Sequence, residues 1–94
     1  MTTVAEYFAA IAERIEHGQS DDGVPQLFAQ TLTLCERTAA TSSAETQRAL
    51  SQVRQALKTW TTVWPRLGSQ PEFRLAVARE ARLWSKRFAQ ADAP

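Results

Sequence analysis

The sequence is poor in the residue types that build catalytic, metal-binding and cross-linked sites. Its 94 residues include one cysteine, Cys35, one histidine, His17, and three glycines. A single cysteine excludes a disulfide within the chain and fits a reducing compartment. A single histidine offers no imidazole pair for a metal, and three glycines offer no glycine-rich loop for a phosphate. We therefore expect no enzyme activity, no metal and no cofactor.

Long hydrophobic runs are also missing. No apolar stretch approaches the roughly 18 residues that a membrane-spanning helix needs. Near the N-terminus, Glu6, Glu13 and Arg14 interrupt what would have to be a continuous apolar segment in a signal peptide. We expect a cytoplasmic protein without a membrane segment. A chain of this length is expected to form one domain, residues 1–94, around one core.

Capping signals and prolines predict four helices, and no alternation typical of strands competes with them. Three segments match the capping box, in which a hydroxyl and a glutamate satisfy first-turn amides: Thr3-x-x-Glu6, Ser42-x-x-Glu45 and Ser69-x-x-Glu72. Asp22 and Pro25 mark a further start. Gly18 and Pro65 predict the ends of the first and third helices. The predicted helices span about 3–17, 24–39, 43–64 and 71–89.

Apolar residues recur at helical spacing along these segments. The stripes are Val4, Phe8, Ile11 and Ile15 in the first helix, Leu50, Val53, Leu57, Trp60 and Trp64 in the third, and Phe73, Val77, Ala81, Trp84 and Phe88 in the fourth. Short connections make successive helices antiparallel neighbours. The sequence therefore predicts an all-α fold, an antiparallel up-down-up-down four-helix bundle. Most of these aromatic residues are expected in the core, but Trp64, next to Pro65, is also a candidate for a partly exposed anchor.

Charge is distributed unevenly along the chain. The net charge is only +1, yet residues 1–25 carry five acidic residues against one basic residue, and residues 66–94 carry six basic residues against three acidic ones. On the fourth helix, several residues lie off the apolar stripe and form a basic face with two leucines. With Trp64, they are the predicted partner-binding residues: Leu75, Arg79, Arg82, Leu83 and Lys86.

Two functional hypotheses and one neutral interpretation follow from this face. The first is an interaction module, such as an adaptor, chaperone-like protein or regulatory subunit, that binds a protein partner or a second copy. In a homo-oligomer, the acidic first helix of one copy could face the basic fourth helix of another. The alternative is a nucleic-acid-binding helix-turn-helix with Arg74 near the front of its second helix, which the low net charge disfavours. The face could also be merely solvated.

Overall fold

The computed structural model describes residues 3–17 and 23–91, and both ranges are helical apart from short connections. Four helices follow one another along the chain: α1 Val4–His17, α2 Val24–Ala39, α3 Ala44–Leu67 and α4 Pro71–Ala91. These ranges contain no strand. The predicted all-α class is confirmed.

The first two helix starts agree with the sequence signals wherever the structure describes them. The Glu6 amide donates to Thr3 Oγ1 over 3.2 Å, which is the predicted cap of α1. Pro25 lies in the first turn of α2, where no intrahelical N–H is needed. Asp22 lies outside the described residues, and Gly23 is the N-cap of α2 without a side-chain hydrogen bond.

The predicted cap of α3 was wrong by one residue. Ser43, with extended backbone angles, is the N-cap, and its hydroxyl accepts from the Thr46 amide over 3.3 Å. Ser42 instead donates its hydroxyl to the Thr38 carbonyl over 2.7 Å, at the end of α2. Of two adjacent serines, the first therefore completes one helix end and the second caps the next.

The predicted end of α3 at Trp64 was also wrong, because the helix continues through Pro65 to Leu67. A proline inside a helix destabilises it, because it removes one backbone hydrogen bond and crowds the carbonyl four residues earlier. In the last turn of α3, this destabilisation is small enough for tertiary packing to offset it. The Gly68 amide closes this turn by donating to the Trp64 carbonyl over 2.8 Å. Helix α4 starts at Pro71 as predicted. Its first intrahelical hydrogen bond runs from the Arg74 amide to the Gln70 carbonyl, so Gln70 is the N-cap and the predicted cap at Ser69 was wrong by one residue.

Each helix packs against two of the others, so that the four helices form a closed ring of neighbours. Helix α1 contacts α4 most extensively, α2 contacts α3, α1 also contacts α2, and α3 and α4 contact each other least. These neighbours agree with the predicted up-down-up-down bundle. At the α1–α4 contact, the rings of Phe8 and Phe88 stack 6.1 Å apart, and Ser85 Oγ donates to the Ala5 carbonyl over 2.7 Å. A side chain that reaches the backbone of the neighbouring helix shows how closely these two helices approach.

The predicted stripes form the core. Trp60 and Trp64 each place an indole about 5.5 Å from the ring of Phe28 on α2. Trp64 is only 4% exposed, so the hypothesis that it is a partly exposed anchor is wrong. Its indole is covered because α3 extends one turn further and Phe73 of α4 packs against it at 5.9 Å. The core interpretation of Trp60 and Trp64 is confirmed.

Candidate interaction surface on α4

The outer face of α4 carries the two large hydrophobic side chains that are exposed in the described part of the chain. Leu75 is 51% exposed and Leu83 is 62% exposed. Arg79, between them in sequence, and Lys86, beyond Leu83, are exposed as well. The structure thus brings five of the six predicted site residues, including Arg82, onto one side of α4, whereas Trp64 lies in the core.

A shallow, largely apolar hollow lies on this face. Four residues line it: Arg79, Arg82, Leu83 and Lys86. Their spacing, i, i+3, i+4 and i+7, is that of the hole that receives one side chain in knobs-into-holes packing. Leu83 and the aliphatic stems of the three cations supply its apolar surface, because long basic side chains keep only their charged ends in water. The lining of the hollow is therefore compatible with an apolar side chain packed between these four residues.

Arg82 is held in place by α1. Its Nε donates to Glu16 Oε1 over 2.6 Å, and both side chains remain partly exposed. This hydrogen bond lowers the pKa of the Glu16 carboxyl and raises the pKa of Arg82. Acidic α1 and basic α4 are thus neighbours within one chain, and this pair meets without a second copy. The opposite charges of Glu16 and Arg82 are therefore already paired and do not support a dimer that joins α1 of one copy to α4 of another.

Arg74 is engaged inside the molecule. Its Nη1 donates to the Gly68 carbonyl over 2.8 Å, and its Nη2 donates to the Ile15 carbonyl over 3.3 Å. Its guanidinium also lies 5.5 Å from the centre of the Trp64 indole. The residue that the nucleic-acid hypothesis places at the front of a recognition helix therefore ties the end of α1 to the α3–α4 connection.

The sequence did not predict a groove that opens between the start of α3 and the end of α4. Its volume is about 590 Å³, and Arg48, Gln52, Trp84 and Arg87 are among its lining residues. The Arg87 guanidinium lies 4.6 Å from the centre of the Trp84 indole. The groove exists because α3 and α4 contact each other sparsely, and that separation leaves no signal in residue spacing. None of the predicted site residues lines it.

Groups that support catalysis are scarce in the described residues. Cys35 is fully buried, and this burial raises the pKa of its thiol to about 11, which keeps it protonated near neutral pH. Within residues 3–17 and 23–91, no group of three or more His, Cys, Asp and Glu side chains could hold a metal ion. In the same ranges, no helix has the length and apolar character to cross a bilayer.

Comparisons with known proteins add nothing to this geometry. No family model matches the chain, and neither a curated protein nor a solved structure matches it. A function must therefore be inferred from the residues of the chain itself. Its strongest physical feature is the α4 surface, defined by Leu75, Arg79, Arg82, Leu83 and Lys86, with two exposed leucines on one helix face.

Proposed function

We propose that the protein is a small non-catalytic interaction module that presents the α4 surface to a protein partner. The observation that carries this proposal is the exposure of Leu75 and Leu83 on the same helix. The predicted stripe residues lie in the core or pack against it, whereas these two leucines, which lie off the stripe, are more than half exposed. An adaptor or regulatory subunit in the cytoplasm is the role that we propose for such a module.

The two kinds of side chain on the α4 surface have different roles in this proposal. Leucines that become buried in a contact supply most of the affinity, because each removes apolar area from water. Exposed ion pairs contribute only about 0–1 kcal/mol each, so a cation such as Lys86 mainly speeds encounter and selects orientation. The proposed partner surface therefore combines an apolar strip with an acidic residue beside it.

The nucleic-acid alternative has less support from the described residues. Arg74 is bound to the carbonyls of Ile15 and Gly68, and Arg82 is paired with Glu16. The chain also has a net charge of only +1, and nucleic-acid-binding domains typically carry a larger basic excess. These observations favour a protein partner.

An affinity pull-down from the host tests the proposal. We expect the wild-type bait to recover a protein that a Leu75→Glu/Leu83→Glu bait does not. The matched control is Ala10→Glu/Ala29→Glu, which adds the same charge at exposed positions of α1 and α2 and is expected to behave as wild type. All baits should give the same helical circular dichroism. Equal recovery by the wild-type and double-leucine baits would refute a role for the α4 surface.

A further inference from the structure

Five exposed residues on α4 form a strip, here called the seam, whose residue pattern is nearly symmetric about its midpoint. The seam consists of Glu72, Leu75, Arg79, Leu83 and Lys86, and its spacings of 3, 4, 4 and 3 are symmetric about Arg79. At 100° per residue, the five side chains fall within an arc of about 80°. Leucines stand four residues on either side of Arg79, and opposite charges stand seven residues on either side.

This symmetry makes the seam complementary to itself when two copies of α4 lie antiparallel. With a two-fold axis at Arg79, Leu75 of each copy faces Leu83 of the other. Glu72 of each copy likewise faces Lys86 of the other. A two-fold contact repeats every pair, so two leucine pairs and two opposite-charge pairs form at once. A parallel arrangement would instead place like charges together at both ends.

The hollow on α4 is in register with this arrangement. Its lining residues 79, 82, 83 and 86 are centred near Leu83, four residues beyond the proposed axis. Leu75 lies four residues before the axis, so Leu75 of the second copy arrives at the level of this hollow. Leu75 and Leu83 are eight residues apart, about 12 Å along the helix, so both copies can insert a leucine without overlap. Side-chain symmetry and the shape of the surface thus indicate the same pairing.

We propose that the partner of the α4 surface is a second copy of this chain, bound through an antiparallel α4–α4 contact with its two-fold axis at Arg79. This inference rests on the proposed function, because it assigns an occupant to the same surface. The two Arg79 side chains meet at the axis, where their like charges oppose association. The contact is therefore weak and depends on concentration, with affinity supplied by the leucines.

Charge reversal tests the pairing. In sedimentation experiments over a concentration series, we expect the wild type to form a dimer. Glu72→Lys and Lys86→Glu each create two like-charge pairs, so each is expected to weaken dimerisation roughly tenfold. The double variant Glu72→Lys/Lys86→Glu restores opposite charges and is expected to dimerise as the wild type does. The control is Glu45→Lys, the matching first-turn change on α3, and it is expected to leave dimerisation unchanged.

Cysteine cross-linking tests the position of the axis. Arg79→Cys is expected to form a disulfide with the same residue of the second copy under mild oxidation, because both lie at the axis. The exposed Lys58→Cys on α3 is the control and is expected to remain largely monomeric. The native Cys35 is buried and does not compete. An Arg79→Cys variant that cross-links no better than the control would place the contact elsewhere.

The outcomes separate this inference from the proposed function. A wild type that stays monomeric at every concentration overturns the second-copy proposal. If Leu75→Glu/Leu83→Glu still loses a partner in the pull-down, the function stands with a different protein in the hollow. A dimer that the charge reversals do not affect, or that the double reversal fails to restore, overturns the antiparallel arrangement.

Discussion

Among single residues, Gly68 is a position where packing, and not backbone conformation, requires glycine. Its φ of −64° and ψ of −16° suit any residue. A Cβ atom at this position, however, would lie 2.6 Å from the Trp64 carbonyl oxygen and 2.7 Å from Cε2 of the Trp64 indole. Gly68 is therefore the residue that lets the α3–α4 connection cross directly over the buried tryptophan.

We expect Gly68→Ala to lower the free energy of unfolding by about 1–3 kcal/mol, since the added methyl group overpacks the Trp64 site. A smaller entropy gain from the stiffer unfolded chain, about 0.4–1 kcal/mol, does not offset this loss. Urea denaturation measures the difference. Gly23→Ala is the control, because its Cβ would meet only the end of the flexible Arg14 side chain. Equal effects of the two substitutions would contradict the packing argument.

The residue-level contacts were the part least predictable from sequence. The stripe through Trp60 and Trp64 predicted their burial, because helical spacing alone places residues on one face. The Arg82–Glu16 pair joins residues 66 positions apart, so it depends on which helices become neighbours. The contact of Gly68 with Trp64 depends on the path of a connection, which residue spacing does not encode.

At the scale of elements, α3 shows how far packing overrides a local signal. Helix starts were predictable to within about one residue, because caps and first-turn prolines act locally. The end of α3 was not, since Pro65 lies within the helix. The side chain of Pro65 is exposed, whereas Trp64 before it is buried, so the tertiary contacts of Trp64 hold the last turn in place. Pro65 therefore lowers the stability of the folded state, and the contacts of Trp64 compensate for it.

We expect Pro65→Ala to stabilise the protein by about 1–2 kcal/mol. Alanine is about 3 kcal/mol more favourable than proline in a helix interior, and the last turn and the freer unfolded chain reduce this gain. Thermal or urea denaturation provides the measurement. Pro71→Ala, at the first residue of α4, is the matched control and is expected to give no stabilisation, because proline suits that position. A destabilised Pro65→Ala protein would refute this account of α3.

At the scale of the whole molecule, one aromatic cluster connects three helices. Phe28 of α2, Trp60 and Trp64 of α3, and Phe73 of α4 lie within ring-contact distance along this chain of pairs. A molecule of this size has about 5–15 kcal/mol of net stability, so a single large cavity removes much of it. The integrity of the bundle therefore depends on few side chains.

We expect Trp60→Ala to cost about 3–5 kcal/mol and to leave the protein largely unfolded near physiological temperature. The wild type is expected to unfold in one cooperative transition, with native tryptophan emission shifted to the blue of the hydrated maximum. Circular dichroism and fluorescence measure both. Thr59→Ala, at the exposed neighbouring position, is the control and is expected to change stability little. Normal folding of Trp60→Ala would mean that the third-helix stripe is not essential to the core.

The dominant contact between α1 and α4 has a consequence for how the chain folds. Helices α2 and α3 are consecutive, so they can associate after closing only a short loop. Helix α1 cannot pack on its main neighbour until the ribosome has synthesised α4, since Phe8 and Phe88 are 80 positions apart in the sequence. We therefore expect α2 and α3 to associate before α1 docks on α4, a step that completes the bundle. Until α4 has been synthesised, the part of the apolar α1 face that packs on α4 stays in water, and it is the surface that a nascent-chain chaperone would meet.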